Sequence, residues 1–203
     1  MPRLTVQLAT IGDEGPIELF PDPTELFAEW TGELAARLFP VARFDLALVG
    51  DGTSGTGVFL YYEDVACTFL EWTWDSGRIV SLHPAWRDLR PLREIHSREA
   101  LARRAGGTRA RLTSHEVEVP ALSSVGEFAW SSAFETALRK DGAANPLARL
   151  RLGGHPCFVQ SGGYVDDETF VTAELPTSAL GLDPMYLYLF GEGSSCSQLM
   201  QMT

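Results

Sequence analysis

Ala148-Arg149-Leu150-Arg151-Leu152-Gly153-Gly154-His155-Pro156-Cys157-Phe158-Val159-Gln160 is the stretch whose reading decides the fold. Its first five residues alternate, with Ala148, Leu150 and Leu152 on one side and Arg149 and Arg151 on the other. A period of two means a strand with one face buried and one in water, so both arginines are expected on the wet face. Gly153-Gly154 then frees the backbone for positive φ or for close approach of another segment. Pro156 fixes its own φ, donates no hydrogen bond and pushes His155 towards an extended conformation. Cys157 to Val159 returns to strand formers, and Gln160 follows. Two readings stand. In one, the stretch is strand, kink and strand at a sheet edge. In the other it is a rigid corner that holds His155 and Gln160 beside a pocket. The second makes Gly153, Gly154, His155, Pro156 and Gln160 the candidate binding residues. Cys157 could act there as a nucleophile with another His as base, or with His155 if the corner stays extended; the plainer reading is a buried structural cysteine.

The run Gly153 to Gln160 resembles the G-G-x-P-x-x-x-Q signature of the YwqG-like family of bacterial proteins. More distantly it is similar to the programmed-cell-death-2-like proteins, which escort a ribosomal protein. Met185-Tyr186-Leu187-Tyr188-Leu189-Phe190 resembles the aromatic-rich strand that follows in YwqG-like proteins. Asp183-Pro184-Met185 stands where that strand usually has an Asp-x-Gly lead-in, and His155 stands where an aromatic is common. The resemblance covers Leu150 to Phe190. It implies a β-rich α+β fold and no particular reaction.

The full chain has 203 residues, enough for one domain with a real core. Its net charge of −11 disfavours phosphate-mediated nucleic-acid binding and favours a basic client or a cationic surface. Cys67, Cys157 and Cys196 are widely spaced and form no CxxC pair, so neither a disulfide framework nor a zinc site is expected. The N-terminus has no apolar core behind a basic start, and no apolar run approaches the ~18 residues of a membrane span. The cytoplasm is the expected compartment.

Leu4 to Leu8 alternates as a strand. Asp22-Pro23-Thr24-Glu25 is a helix start, and Leu26, Trp30, Leu34 and Leu38 follow as a core-facing stripe that Pro40 stops. Phe44 to Val49 reads as a buried strand. Gly50-Asp51-Gly52-Thr53-Ser54-Gly55 matches G-x-G-x-x-G, but the β-formers Val58 to Tyr62 follow where a dinucleotide turn must open a helix. It is therefore expected to be a glycine-rich hairpin loop. Val65 to Trp74 is a strand with Leu70, Trp72 and Trp74 on one face. Asp75-Ser76-Gly77 turns it into Arg78 to Leu82.

Between 84 and 111 stand eight arginines against three acids. The segment reads as a solvated helical face or as an anion-binding patch. Leu112 to Leu122 is the next strand. Ser124-Val125-Gly126-Glu127 forms a capping box before a helix with apolar face Phe128, Trp130, Ala133, Phe134, Ala137 and Leu138, stopped at Gly142.

The fold class that follows is α+β, a single domain over 1–203 with a curved, antiparallel-rich sheet and about three helices. Neither His83, His96, His115 and His155 nor the acidic run Asp166-Asp167-Glu168 has a recognised metal spacing, so no metal and no cofactor are expected. Two functions remain open. One is a binding or escort module, including an immunity-type role, that recognises a protein partner at the signature corner. The other is a small-molecule binder or hydrolase with a pocket near His155, Cys157 and Gln160.

Overall fold

The structure, a computed structural model, describes residues 2–50, 52, 54–63, 69–93, 97–158, 171–192 and 194–202. The strands are β1 (Arg3–Gly12), β2 (Ile17–Leu19), β3 (Phe39–Asp45), β4 (Thr56–Tyr61), β5 (Leu70–Asp75), β6 (Arg78–Leu82), β7 (Arg109–Glu118), β8 (Arg151–Leu152), β9 (Ala173–Pro176), β10 (Met185–Glu192) and β11 (Ser195–Met202). They form one sheet in the order β4-β3-β2-β7-β1-β8-β9-β10-β11-β5-β6. Its ladders are antiparallel. The helices are α1 (Pro23–Leu26), α2 (Gly32–Ala35), α3 (Arg98–Ala105), α4 (Leu122–Val125) and α5 (Glu127–Lys140). The chain is α+β with a strand-rich antiparallel sheet, and it has five α-helices among the described residues instead of about three.

The sheet curls until its first strand meets its ninth. Gln198 of β11 is fully buried and bonds both backbone groups of Leu60 in β4, accepting from its N–H at 2.9 Å and donating to its carbonyl at 2.6 Å. One amide side chain thus does for an edge strand what a ladder partner would do. Inside the curl lies the main core, with Phe20, Phe44, Phe59, Trp72, Leu175 and Leu187. Alternation on β1 splits its side chains between two cores: Ala9 and Ile11 join the main one, while Val6 and Leu8 pack with Trp130, Phe134 and Leu138 of α5. Each of those three helix side chains contributes roughly 1.5–3 kcal/mol by burial. Asp141 and Gly142 (φ 89°) end α5, with Ala143 N–H bonded to the Leu138 carbonyl at 2.9 Å.

Several expectations are corrected. Asp22 caps α1 through Thr24 N–H at 2.8 Å, but the helix ends at Leu26. Phe27 is extended because Phe27 and Ala28 pair with β6, Ala28 N–H reaching the Ile79 carbonyl at 2.9 Å. Edge-strand pairing wins there over helix propensity, and Thr31 caps a new start at α2. Pro40 stands within β3, where the register with β4 shifts between Pro40 and Ala42. Phe44 to Val49 is not one strand: β3 ends at Asp45, whose side chain caps a 3₁₀ turn over Leu46–Val49. β3 and β4 are a hairpin across the glycine loop, with Asp45 opposite Thr56. Ser124 does not cap α5; its hydroxyl bonds the Ala121 carbonyl, and the helix opens at Gly126 without a side-chain cap. Phe128 is 62% exposed and outside the apolar face.

β5 keeps Leu70 and Trp72 buried and Trp74 partly buried, with Glu71 and Thr73 exposed, as the alternation requires; Phe69, just ahead of the strand, is exposed too. Ser76 (φ 51°) and Gly77 (φ 78°) form the turn into β6. In the arginine-rich segment, Arg93 bonds Glu63 and Asp183, and Arg98 bonds Glu18, so these charges are spread over separate acids. Among the described residues no helix is long and apolar enough to cross a membrane.

Candidate functional site

β8 lies between β1 and β9 in the middle of the sheet, so the signature corner is not at a sheet edge. Burial corrects the alternation as well. Leu150 and Leu152 are buried as expected, but Arg151 is only 1% exposed. The face assigned to water is covered by α5, and the Phe134 ring lies 5.1 Å from the Arg151 guanidinium carbon.

Arg151 organises the corner. Gly153 (φ 77°) and Gly154 (φ 84°) turn the chain out of β8 in a conformation that favours glycine. Gly153 N–H donates to the Thr172 carbonyl and Val171 N–H to the Gly154 carbonyl, both at 2.9 Å. The arginine fork reaches round this turn: Nη1 donates to the Gly153 carbonyl, and Nη2 donates to the His155 carbonyl at 2.8 Å and to Glu174 Oε2 at 2.5 Å. The same Glu174 oxygen accepts the Cys157 N–H at 3.0 Å, and Tyr188 Oη donates to the Cys157 carbonyl at 3.0 Å. Burial is the largest single influence and works against the Arg151 charge, but the Glu174 carboxylate, with Cys157 and Tyr188 adding to it, holds the guanidinium above its usual range. The planar fork suits this work, because one cation satisfies two carbonyls and a carboxylate at once.

The same enclosure disarms the cysteine. Burial pushes the Cys157 thiol up to about 12; the Glu174 carboxylate adds to the rise and Arg151 partly opposes it. At neutral pH it is a thiol and a poor nucleophile. His155 is 6% exposed and edge-on to Trp130, with ring centroids 5.2 Å apart.

The two glycines, buried like the rest of the corner, also form part of a cleft wall. They line a cleft of about 1020 Å³ whose walls also include Trp72, Thr73, Ser81, His83, Phe190 and Ser197. A Cβ on Gly153 would sit in ordinary contact with the Thr5 carbonyl at 3.5 Å and Val49 Cγ1 at 3.7 Å, so this buried glycine is closely surrounded where it joins the cleft wall. A Cβ on Gly154 would meet Arg151 Nη1 at 2.9 Å and Val6 Cγ1 at 3.0 Å. His83 Nδ1 accepts the Ala85 N–H at 3.3 Å, as the cap of a 3₁₀ turn. Cys196 is buried, its Sγ 3.8 Å from the Thr56 carbonyl, and burial raises its thiol pKa.

Gly153 to Cys157 are all buried, but Gly153 and Gly154 line the cleft whereas His155, Pro156 and Cys157 do not. Gln160, Cys67, His96 and the Asp166-Asp167-Glu168 run lie outside the described residues. Sequence reasoning missed Arg151 and Glu174; the available signal was an arginine flanked by leucines and followed by two glycines. Among the described residues no group of three His, Cys, Asp or Glu side chains could hold a metal ion.

Compared with protein-family models, curated proteins and solved structures, the chain matches none.

Proposed function

We propose that the protein is a binding module that takes a segment of a protein partner into the cleft walled by Gly153 and Gly154. The observation that carries this reading is a cleft of about 1020 Å³ that has Gly153 and Gly154 in its wall and polar side chains around them. The hydroxyls of Thr73, Ser81 and Ser197 offer a bound segment exchangeable donors and acceptors. The net charge of −11 favours a basic segment, whose capture then weakens with salt. The resemblance of Gly153 to Gln160 to YwqG-like and programmed-cell-death-2-like proteins supports an escort-type role over a reaction. The hydrolase alternative loses support at Cys157, which is buried and protonated at neutral pH. Small-molecule binding remains a second reading, favoured by a volume near the upper end of ligand pockets, roughly 300–1,000 Å³.

Thr73 and Ser81 face each other across β5 and β6 and both line the cleft. Tagged protein from the source cell should retain a partner at near-stoichiometric yield. Thr73→Trp/Ser81→Trp should lose that same partner at least tenfold while melting at an unchanged temperature. Equal retention by the blocked variant would remove the cleft from the account.

A further inference from the structure

A second cavity, of about 270 Å³, shares no lining residue with the cleft. It lies where β1, β2, β7 and β9 meet the 3₁₀ turn over Thr177–Leu180. Ile11, Leu19, Ala110, Leu150, Leu175 and Leu180 give it apolar walls, and Arg149 is its charged lining residue.

Arg149 is held in place without being neutralised. Its Nε donates to the Ala9 carbonyl at 2.8 Å and its Nη2 to Thr10 Oγ1 at 2.5 Å. Among the described residues it has no carboxylate partner, and Nη1 has no hydrogen-bond acceptor. Burial pushes its guanidinium pKa down, the mark of a cation that has lost water. A partly desolvated, anchored guanidinium is stabilised by an anion that restores the missing partner.

We propose that this cavity binds a small monocarboxylate with an apolar chain or ring, its carboxylate on Arg149 and its body between the leucines. The size fits: about 270 Å³ is on the order of nine water volumes at ~30 Å³ each, room for a ligand of about ten non-hydrogen atoms. The apolar walls and single lining cation suit a monoanion. A phosphate dianion would leave charge unpaired against leucines. The inference is independent of the cleft and of any protein partner.

Isothermal titration calorimetry of the unaltered protein with octanoate, acetate and octylamine tests it. Saturable one-to-one binding of octanoate is expected, with acetate and octylamine at least tenfold weaker. Arg149→Met should weaken octanoate at least tenfold, Ala179→Phe should abolish its binding, and the cleft-blocking Thr73→Trp/Ser81→Trp should leave it unchanged. Octylamine binding as tightly as octanoate, or no saturable octanoate binding, overturns the proposal on the unaltered protein, whatever the variants' folding. Octanoate binding that survives Arg149→Met, or is lost on blocking the cleft, overturns it too.

Discussion

Arg149 and Arg151 stand two residues apart on one face of the sequence pattern, and the fold treats them in opposite ways. Arg151 is sealed beneath α5 with Glu174 and with the Gly153 and His155 carbonyls. Arg149 is half-buried, held by Ala9 and Thr10, with no acid beside it among the described residues. The difference teaches what each cation is for. A guanidinium with every side answered is architecture, because removing any partner strands a buried charge. A guanidinium that is anchored but not neutralised leaves a valence for something else.

The largest break in this contrast is Glu174→Gln. It strands the Arg151 charge in the interior and should cost about 3–5 kcal/mol in denaturant unfolding. Arg151→Met/Glu174→Leu sharpens the point. If Arg151 were only a counter-ion, the double replacement would restore most of that stability. Because the fork also serves two carbonyls, recovery should be partial.

Gln198→Leu comes next. It leaves the Leu60 N–H and carbonyl buried without partners and should cost about 2–4 kcal/mol, read by the same unfolding measurement. A loss below about 1 kcal/mol would mean that β4 is not closed by that side chain. Gly154→Ala should cost about 1–3 kcal/mol, because φ is +84° and the new Cβ meets Arg151 Nη1 at 2.9 Å. Near-neutral stability in that variant would show that the fork is not tight against the turn.

The smallest effect at neutral pH grows with pH. Burial raises the Cys157 thiol from 9.0 to about 12 and the Tyr61 phenol from 10.0 to about 12. Between those values the unfolded chain has released protons that the folded one keeps, so stability present below pH 9 is lost as pH climbs towards 12. The denaturation midpoint should fall steadily from pH 8 to pH 10.5, with a shallower slope in Cys157→Ala. Folded protein should resist iodoacetamide at Cys157 at pH 8; fast labelling there would mean an accessible thiolate.

Much of the fold was legible because it rests on local periodicity and turn chemistry. Leu70 and Trp72 declared a buried face, Ser76-Gly77 declared a hairpin, and Trp130, Phe134 and Leu138 declared the helix that covers the sheet. The β-formers after Gly55 identified a hairpin loop in place of a nucleotide turn. The misses share one cause, pairing between distant residues. Phe27 leaves its helix to satisfy Ile79, more than fifty residues away in sequence. Arg151 could not be seen as buried because its partner Glu174 is 23 residues on, and period-two reasoning sends any arginine to water. The candidate site was half legible for the same reason. Two glycines and a proline marked a constrained corner, but only the fold shows that Gly153 and Gly154 line the cleft and that His155 and Cys157 do not.

The most direct measurement is side-by-side unfolding of Arg149→Met and Arg151→Met. Arg151→Met should lose about 3–5 kcal/mol, because Glu174 is left as an unpaired buried charge. Arg149→Met should lose no more than about 1–2 kcal/mol, since it leaves one buried carbonyl, that of Ala9, and the exposed Thr10 hydroxyl, and strands no charge. Equal losses in the two variants would contradict the division of labour between the two arginines.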